Sequence, residues 1–158
     1  MGCLIAGMAY VALTHTRAFL VVSSGLVVLL GLGHLQAKRE KRQLLALASQ
    51  RPGESICEFA RDFATREIDT WVIRAVYEQL QSRLKHIHPA FPIRADDRLK
   101  EDLGLDDDDL DLDLAPQVAM RTGRPIDTTQ TNPYYGKVTT VRSLVLFFHH
   151  QPKSKGAQ

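Results

Sequence analysis

Charge is nearly missing from the start of this chain: among its first 35 residues only Arg17 is formally charged. A surface helix needs one polar face, so an ordinary amphipathic surface helix is excluded there. Cysteine is also scarce. Cys3 and Cys57 are far apart and one lies in an apolar stretch. That excludes a disulfide framework and a cysteine-built metal cluster, and makes a reducing cytosol the simplest setting for the folded part. Aromatic residues make up only 7% of the chain. They do not interleave with a long basic stripe, which argues against nucleic acid as a partner despite a pI near 8.6. Serine is absent from Leu99 to Thr139, so no serine-borne chemistry is available across the middle of the chain.

What is present is sharply segregated. The 158 residues suffice for one compact domain with appendages, and a net charge of +2 hides two opposite blocks. Lys38-Arg39-Glu40-Lys41-Arg42 is basic, whereas Glu101 to Leu114 (EDLGLDDDDLDLDL) has eight carboxylates in fourteen residues and no base.

Ala18 to Leu35 carries no charge. As a helix it spans about 27 Å, close to the thickness of a hydrocarbon core. The basic run just after Leu35 follows the positive-inside rule and predicts an inner-membrane anchor with the remainder in the cytoplasm. Cys3 to Leu13 is also apolar, so either one span or a short hairpin fits. A cleaved signal would carry a basic leading region rather than MGCLIAG, and a lipoprotein signal would place its cysteine after the apolar stretch. A buried core helix would not run uninterrupted into KREKR.

The pattern divides the chain into an anchor (1–36), a basic juxtamembrane stalk (37–54) breaking at Pro52-Gly53, a helical domain (55–151) and a polar tail (152–158). Within the domain, Ser55 and Glu58 have capping-box form ahead of a short helix reaching about Thr65. Asp69 and Thr70 are suited to cap the next helix, whose stripe is Ile73, Val76, Tyr77, Leu80, Leu84 and Ile87. Its last turn collects Arg83, Lys85, His86 and His88, which complement the dipole, and Pro89 and Pro92 end it. A loop pinned by Leu99, Leu103 and Leu105 follows. A second helix is expected over Asp109 to Thr122, closed by Gly123. The alternation DLDLDL alone suggests a strand, but it is too acidic and short, and Pro116 favours a late helix start. Asn132 to Gly136 reads as one helical turn with two aromatic plugs. Thr139 or Thr140 then caps a last helix with the face Val141, Leu144, Val145 and Phe148. The fold class is all-α.

Arg94 to Asp106 (RADDRLKEDLGLD) and Lys137 to Phe148 (KVTTVRSLVLFF), in this order around an acidic second helix, resemble the acyl carrier proteins. The resemblance implies a four-helix bundle behind the transmembrane segment. In that family a serine after the DLGLD stretch carries the phosphopantetheine arm. Here Asp107 stands in that position, and the stretch to Gly123 is one residue longer. These departures resemble a bacterial group of carrier-like domains in which DLGLDGDD replaces the serine motif and a Tyr-Phe pair lies downstream, matched here by Tyr134-Tyr135. The resemblance therefore implies the fold without the prosthetic group, and no cofactor is expected.

Other chemistry finds little footing. Asp109, Asp111 and Asp113 open like a calcium loop. However, Leu114 replaces the turn glycine and Met120 the bidentate glutamate. His86-Ile87-His88 and His149-His150 lack cysteine partners for zinc. No nucleophile–base pair or phosphate-binding glycine loop suggests an enzyme. The acids outnumber what a helix dipole needs and repel one another. The favoured expectation is a docking module: Asp106, Asp107, Asp108, Asp109, Asp111 and Asp113 face outward to meet an unidentified protein with a basic patch. A plain solvated face is the bland alternative. A third possibility is a small membrane subunit whose span is the functional part and whose soluble domain regulates it.

Overall fold

Between the uncharged stretch and the basic run lies no proline to stop a helix, and in the computed structural model none stops. The structure describes residues 16–154; the apolar stretch Cys3–Leu13 lies outside them. Helix α1 (Thr16–Ser49) runs unbroken through KREKR. Its portion Leu20–Ser49 contains a window long and apolar enough to cross a membrane, none of it buried. The aliphatic side chains from Leu20 to Leu35 are more than half exposed. Ser23 and Ser24 turn their hydroxyls back onto the carbonyls of Leu20 (3.3 Å) and Val21 (2.9 Å), the arrangement that lets serine sit in an apolar helix.

The chain divides into two units, one ending at Arg42 and the other beginning at Gln43. The boundary thus falls inside α1 and not at the end of a stalk. Leu44 is buried in the core of the second unit, and Leu47 and Ala48 pack against that core. Arg51 pairs with the buried Asp97 at 2.8 Å. Residues 43–51, expected as part of a stalk, therefore belong to the folded unit.

Among its described residues that unit has four further α-helices, α2 (Ile56–Arg61), α3 (Thr70–Leu84), α4 (Ala115–Thr122) and α5 (Val141–His150), and a π-helical segment, Asp109–Leu114, leading into α4. Among the described residues no strand forms, only an isolated antiparallel bridge between Arg98 and Thr140. Helix α3 is the hub, with α2, α4 and α5 all packed against it. Its expected stripe is buried at Ile73, Val76, Leu80 and Leu84, and Val72 and Ala75 are buried as well. Asp69 caps it by accepting from the Trp71 N–H at 3.0 Å.

Helix α2 is shorter than its apolar spacing suggested, ending at Arg61. The Ser55–Glu58 capping box does not form: the Ser55 hydroxyl donates to the Glu58 carboxylate instead of accepting a backbone N–H. That bond, with the Glu58 backbone and Arg61, holds the Glu58 carboxyl below its usual range despite a smaller opposing effect of desolvation.

The loop between α3 and the acidic stretch is pinned by Leu99, Leu103 and Leu105 as expected, with Phe91, Ile93 and Ala95 buried beside them. Its backbone is held by α5, whose first N–H groups donate to Asp97 (3.0 Å) and Ala95 (2.7 Å). Thr140, not Thr139, caps α5 in a full box with Ser143.

A buried polar cluster joins the start of α3 to the end of α5. Arg124 donates to Asp69 (3.0 Å) and to the carbonyls of His149 (2.9 Å) and Gln151. Gln151 is buried and donates to the carbonyls of Pro125 (2.9 Å) and Thr128 (3.0 Å). His149 and Gln151 are thereby tied into the folded unit. Burial raises the Asp69 carboxyl, but hydrogen bonds from Arg124, the Trp71 backbone and Lys153 outweigh it and leave it below the usual carboxylate range.

His149 accepts the Asp69 N–H through Nδ1 at 3.3 Å. Burial pushes its imidazole below the ordinary 6.5, with His150 and Arg124 acting in the same direction and Asp69 opposing them. The unfolded chain therefore takes up this proton first on acidification. Stability from the neutral ring is complete above about 6.5 and declines as pH falls from there toward the depressed folded value. Urea midpoints measured across that window are expected to fall with acid in the native chain and less steeply in His149→Gln. Equal slopes would remove His149 as the cause.

Candidate functional site

An aspartate before a helix can accept the otherwise unpaired N–H groups of its first turn, and Asp106 does so. It accepts from the Asp109 N–H at 3.0 Å while the Asp109 carboxylate reaches back to the Asp106 N–H at 3.4 Å. Helical backbone then starts at Asp107. The acids lie inside the helix and do not delay it, contrary to the late start that Pro116 suggested.

The reason is a change of winding. Asp109–Leu114 is π-helical, and the Ala115 N–H bonds to the Leu110 carbonyl, five residues back. Pro116 has no N–H to give Leu112, and in an α-helix its ring would press on that carbonyl. The wider turn accommodates the proline and absorbs one residue. From Ala115 onward the winding is α until Gly123, in left-handed conformation at φ 63°, closes it as expected.

This geometry sorts the six aspartates. Asp106 is the cap. Asp109 and Asp113, one turn apart, both pair with Arg83 of α3, the latter at 2.9 Å. Their charge is therefore partly met within the fold, with the Asp109 side chain 25% and the Asp113 side chain 47% exposed. Asp107, Asp108 and Asp111 are exposed. Their side chains make no bond among the described residues, leaving three uncompensated charges on one helical run.

The same winding separates leucines that look equivalent in DLDLDL. Leu114 is buried and Leu110 half-buried, whereas Leu112 is 78% exposed. Eight residues on, Met120 is 73% exposed, with the exposed Pro116 midway. Leu112 and Met120 are the two most exposed large apolar side chains of the second unit. They form an apolar strip edged by Asp108 and Asp111, a feature the sequence reading passed over. Its signal was available: 110, 114 and 118 share one helical face, and 112, 116 and 120 share another.

Beside this helix lies a cavity of about 520 Å³, reaching from Asp107 and Asp111 to the Tyr135-Gly136 turn and α5. The turn forms where expected, with the Tyr135 N–H donating to Asn132 at 3.0 Å. Tyr134 is half-buried against His150, and Tyr135 is exposed. Only the first therefore acts as a plug.

Among the described residues no group of histidine, cysteine or acidic side chains is arranged to hold a metal ion. His86 and His150 instead bond to the carbonyls of Arg83 and Leu146. No family model matches the chain, and no curated protein or solved structure matches it either.

Proposed function

We propose that the protein is a membrane-anchored docking module, a carrier-like helical domain without the prosthetic arm, which presents its acidic helix to a basic partner surface. The carrying observation is the outward face of residues 107–122. Asp107, Asp108 and Asp111 are unpaired there and edge the exposed Leu112 and Met120. A protein interface commonly needs an apolar centre bordered by polar groups, with charge steering the encounter. Two large apolar side chains so fully exposed next to unpaired charges suit an interface better than a plain solvated face.

The carrier-like reading draws further support from Asp107. It occupies the first helical position after the Asp106 cap, where the resemblance places the serine of a carrier. A carboxylate there cannot form the phosphodiester that holds the arm. The one-residue surplus before Gly123 falls where the π-turn absorbs one residue, so the insertion and the fold are compatible. π-turns of this kind are frequent at functional positions.

Membrane anchoring rests on the apolar window of α1 followed by KREKR. Protease added to intact cells is expected to spare the C-terminal unit, and alkaline carbonate is expected to leave the chain in the membrane. Digestion from outside, or release by carbonate, overturns this part.

For docking, the full chain is to be isolated from its own membranes with whatever binds it. Association with that partner is expected to slow as salt rises, because exposed charges are screened over about 8 Å at physiological ionic strength. Exchanging Asp107, Asp108 and Asp111 together for asparagine is expected to slow association about tenfold. Asp109 is left intact so that the Arg83 pair survives. Binding indifferent to both salt and the triple exchange would return the acids to a solvated surface.

A further inference from the structure

The cavity beside the acidic helix is lined by Leu110, Ala115, Ile126, Val138, Leu144 and Phe147. At about 520 Å³ it falls within the range of formed binding sites. Leu144 and Phe147 are buried, so its floor is the core itself. Its exposed charged margin is acidic: Asp107 and Asp111 line it, and among the described residues no basic side chain does.

We propose that this cavity receives an aromatic side chain of the partner, carried next to an arginine that pairs with Asp107 or Asp111. The inference rests on the docking reading above and names the anchor that the reading leaves open.

Charge complementarity selects the occupant. An anionic amphiphile would bring its head against two carboxylates with no base to meet it. A neutral apolar ligand would bury the floor but leave the two charges partly desolvated and unmatched, which costs free energy. An aromatic side chain flanked by arginine satisfies both parts: the ring fills the apolar volume and the guanidinium meets the rim in charge-assisted hydrogen bonds. Aromatic residues and arginine are also the side chains that most often dominate interface affinity. The rim belongs to the same helical run as the exposed Leu112 and Met120. A partner covering that strip therefore lies within reach of the cavity through one side chain.

Model peptides test this without knowledge of the partner. The full chain is placed in discs of zwitterionic phospholipid and titrated with three helical peptides. One carries arginines around a central tryptophan, the second replaces that tryptophan by alanine, and the third replaces the arginines by glutamates. The first is expected to bind and to shift the methyl resonances of Leu110, Ile126, Val138 and Leu144. The second is expected to bind about tenfold more weakly, and the third not at all. Filling the cavity by Ala115→Leu or, from another lining position, Thr129→Phe is expected to reduce the first peptide to the level of the second. A variant counts only if it retains the native far-ultraviolet spectrum, and either one suffices.

Equal binding of the first two peptides, with the cavity methyls unmoved, overturns the anchor and leaves the acidic docking surface standing. Binding of the glutamate peptide as well as the arginine peptide overturns both. Failure of all three to bind overturns the anchor, and the salt dependence with the native partner then judges the docking surface separately.

Discussion

Replacing Arg51 by alanine is expected to lower the unfolding free energy by about 3–5 kcal/mol, the usual result of stripping a buried charge of its partner. Asp97 is almost fully enclosed, with its side chain 2% exposed, and Arg51 grips both of its oxygens at 2.8 Å. Arg51 also donates to the Pro92 carbonyl at 3.3 Å, and the Arg94 N–H donates to Asp97 at 2.8 Å. Removing Arg51 leaves the nearly enclosed carboxylate with a single backbone donor. The same loop supplies the carbonyls of Asp97 and Ala95 to the first turn of α5, so the damage reaches beyond the pair. Adding Asp97→Asn to the alanine variant is expected to recover part of the loss. A neutral amide costs less to bury and still accepts the Arg94 N–H. Urea denaturation of the unit from Gln43 onward measures both changes. A loss below about 1 kcal/mol would mean that the pair behaves like an exposed one.

The other pairs warn against reading charge alone. Arg83 meets Asp109 and Asp113 at the surface, with its side chain 41% exposed. Those contacts orient the acidic helix against α3 but are open to solvent screening. Arg51, by contrast, has its side chain only 13% exposed and holds the enclosed Asp97.

The helices whose apolar residues recur at three and four were legible from the sequence, because that spacing has one physical meaning. The α3 stripe follows from it, the Gly123 stop follows from the tolerance of glycine for positive φ, and the cap of α5 was narrowed to Thr139 or Thr140. The loop leucines were legible for a related reason: isolated apolar residues in a polar loop have few places to go except the core. Three features were not. The Arg124–Asp69–Gln151 cluster joins residues far apart in the chain through polar contacts that leave no periodic trace. The π-turn depends on how Pro116 is accommodated, and DLDLDL by itself fits two periods. The domain boundary was hidden because KREKR marks a charge transition, whereas Leu44, Leu47 and Ala48 mark where packing begins. The two need not coincide when one helix carries both.

That last difference yields the other large expected effect. A fragment beginning at Gln43 should unfold in one cooperative transition, and a fragment beginning at Ser55 should have none, or one near the limit of stability. The shorter fragment loses Leu44, which is buried, together with Leu47, Ala48 and the Arg51–Asp97 pair. Loss of a buried leucine side chain costs about 2–5 kcal/mol, and the orphaned Asp97 costs about as much again. A domain of this size has roughly 5–15 kcal/mol in total, so the two losses together are comparable with everything available. The α3 stripe lies wholly after Ser55 and is untouched, so the shorter fragment should keep much of its far-ultraviolet helical signal. What it should lose is the near-ultraviolet signature of fixed aromatic packing around Phe59, Phe63 and Tyr77. Equal urea midpoints for the two fragments would show that residues 43–54 are a stalk after all. A midpoint shift that Arg51→Ala alone reproduces in the longer fragment would assign the coupling to the ion pair rather than to the leucines. The expected result lies beyond either, because the last turns of α1 form a wall of the core through Leu44, Leu47 and Ala48 as well as through Arg51.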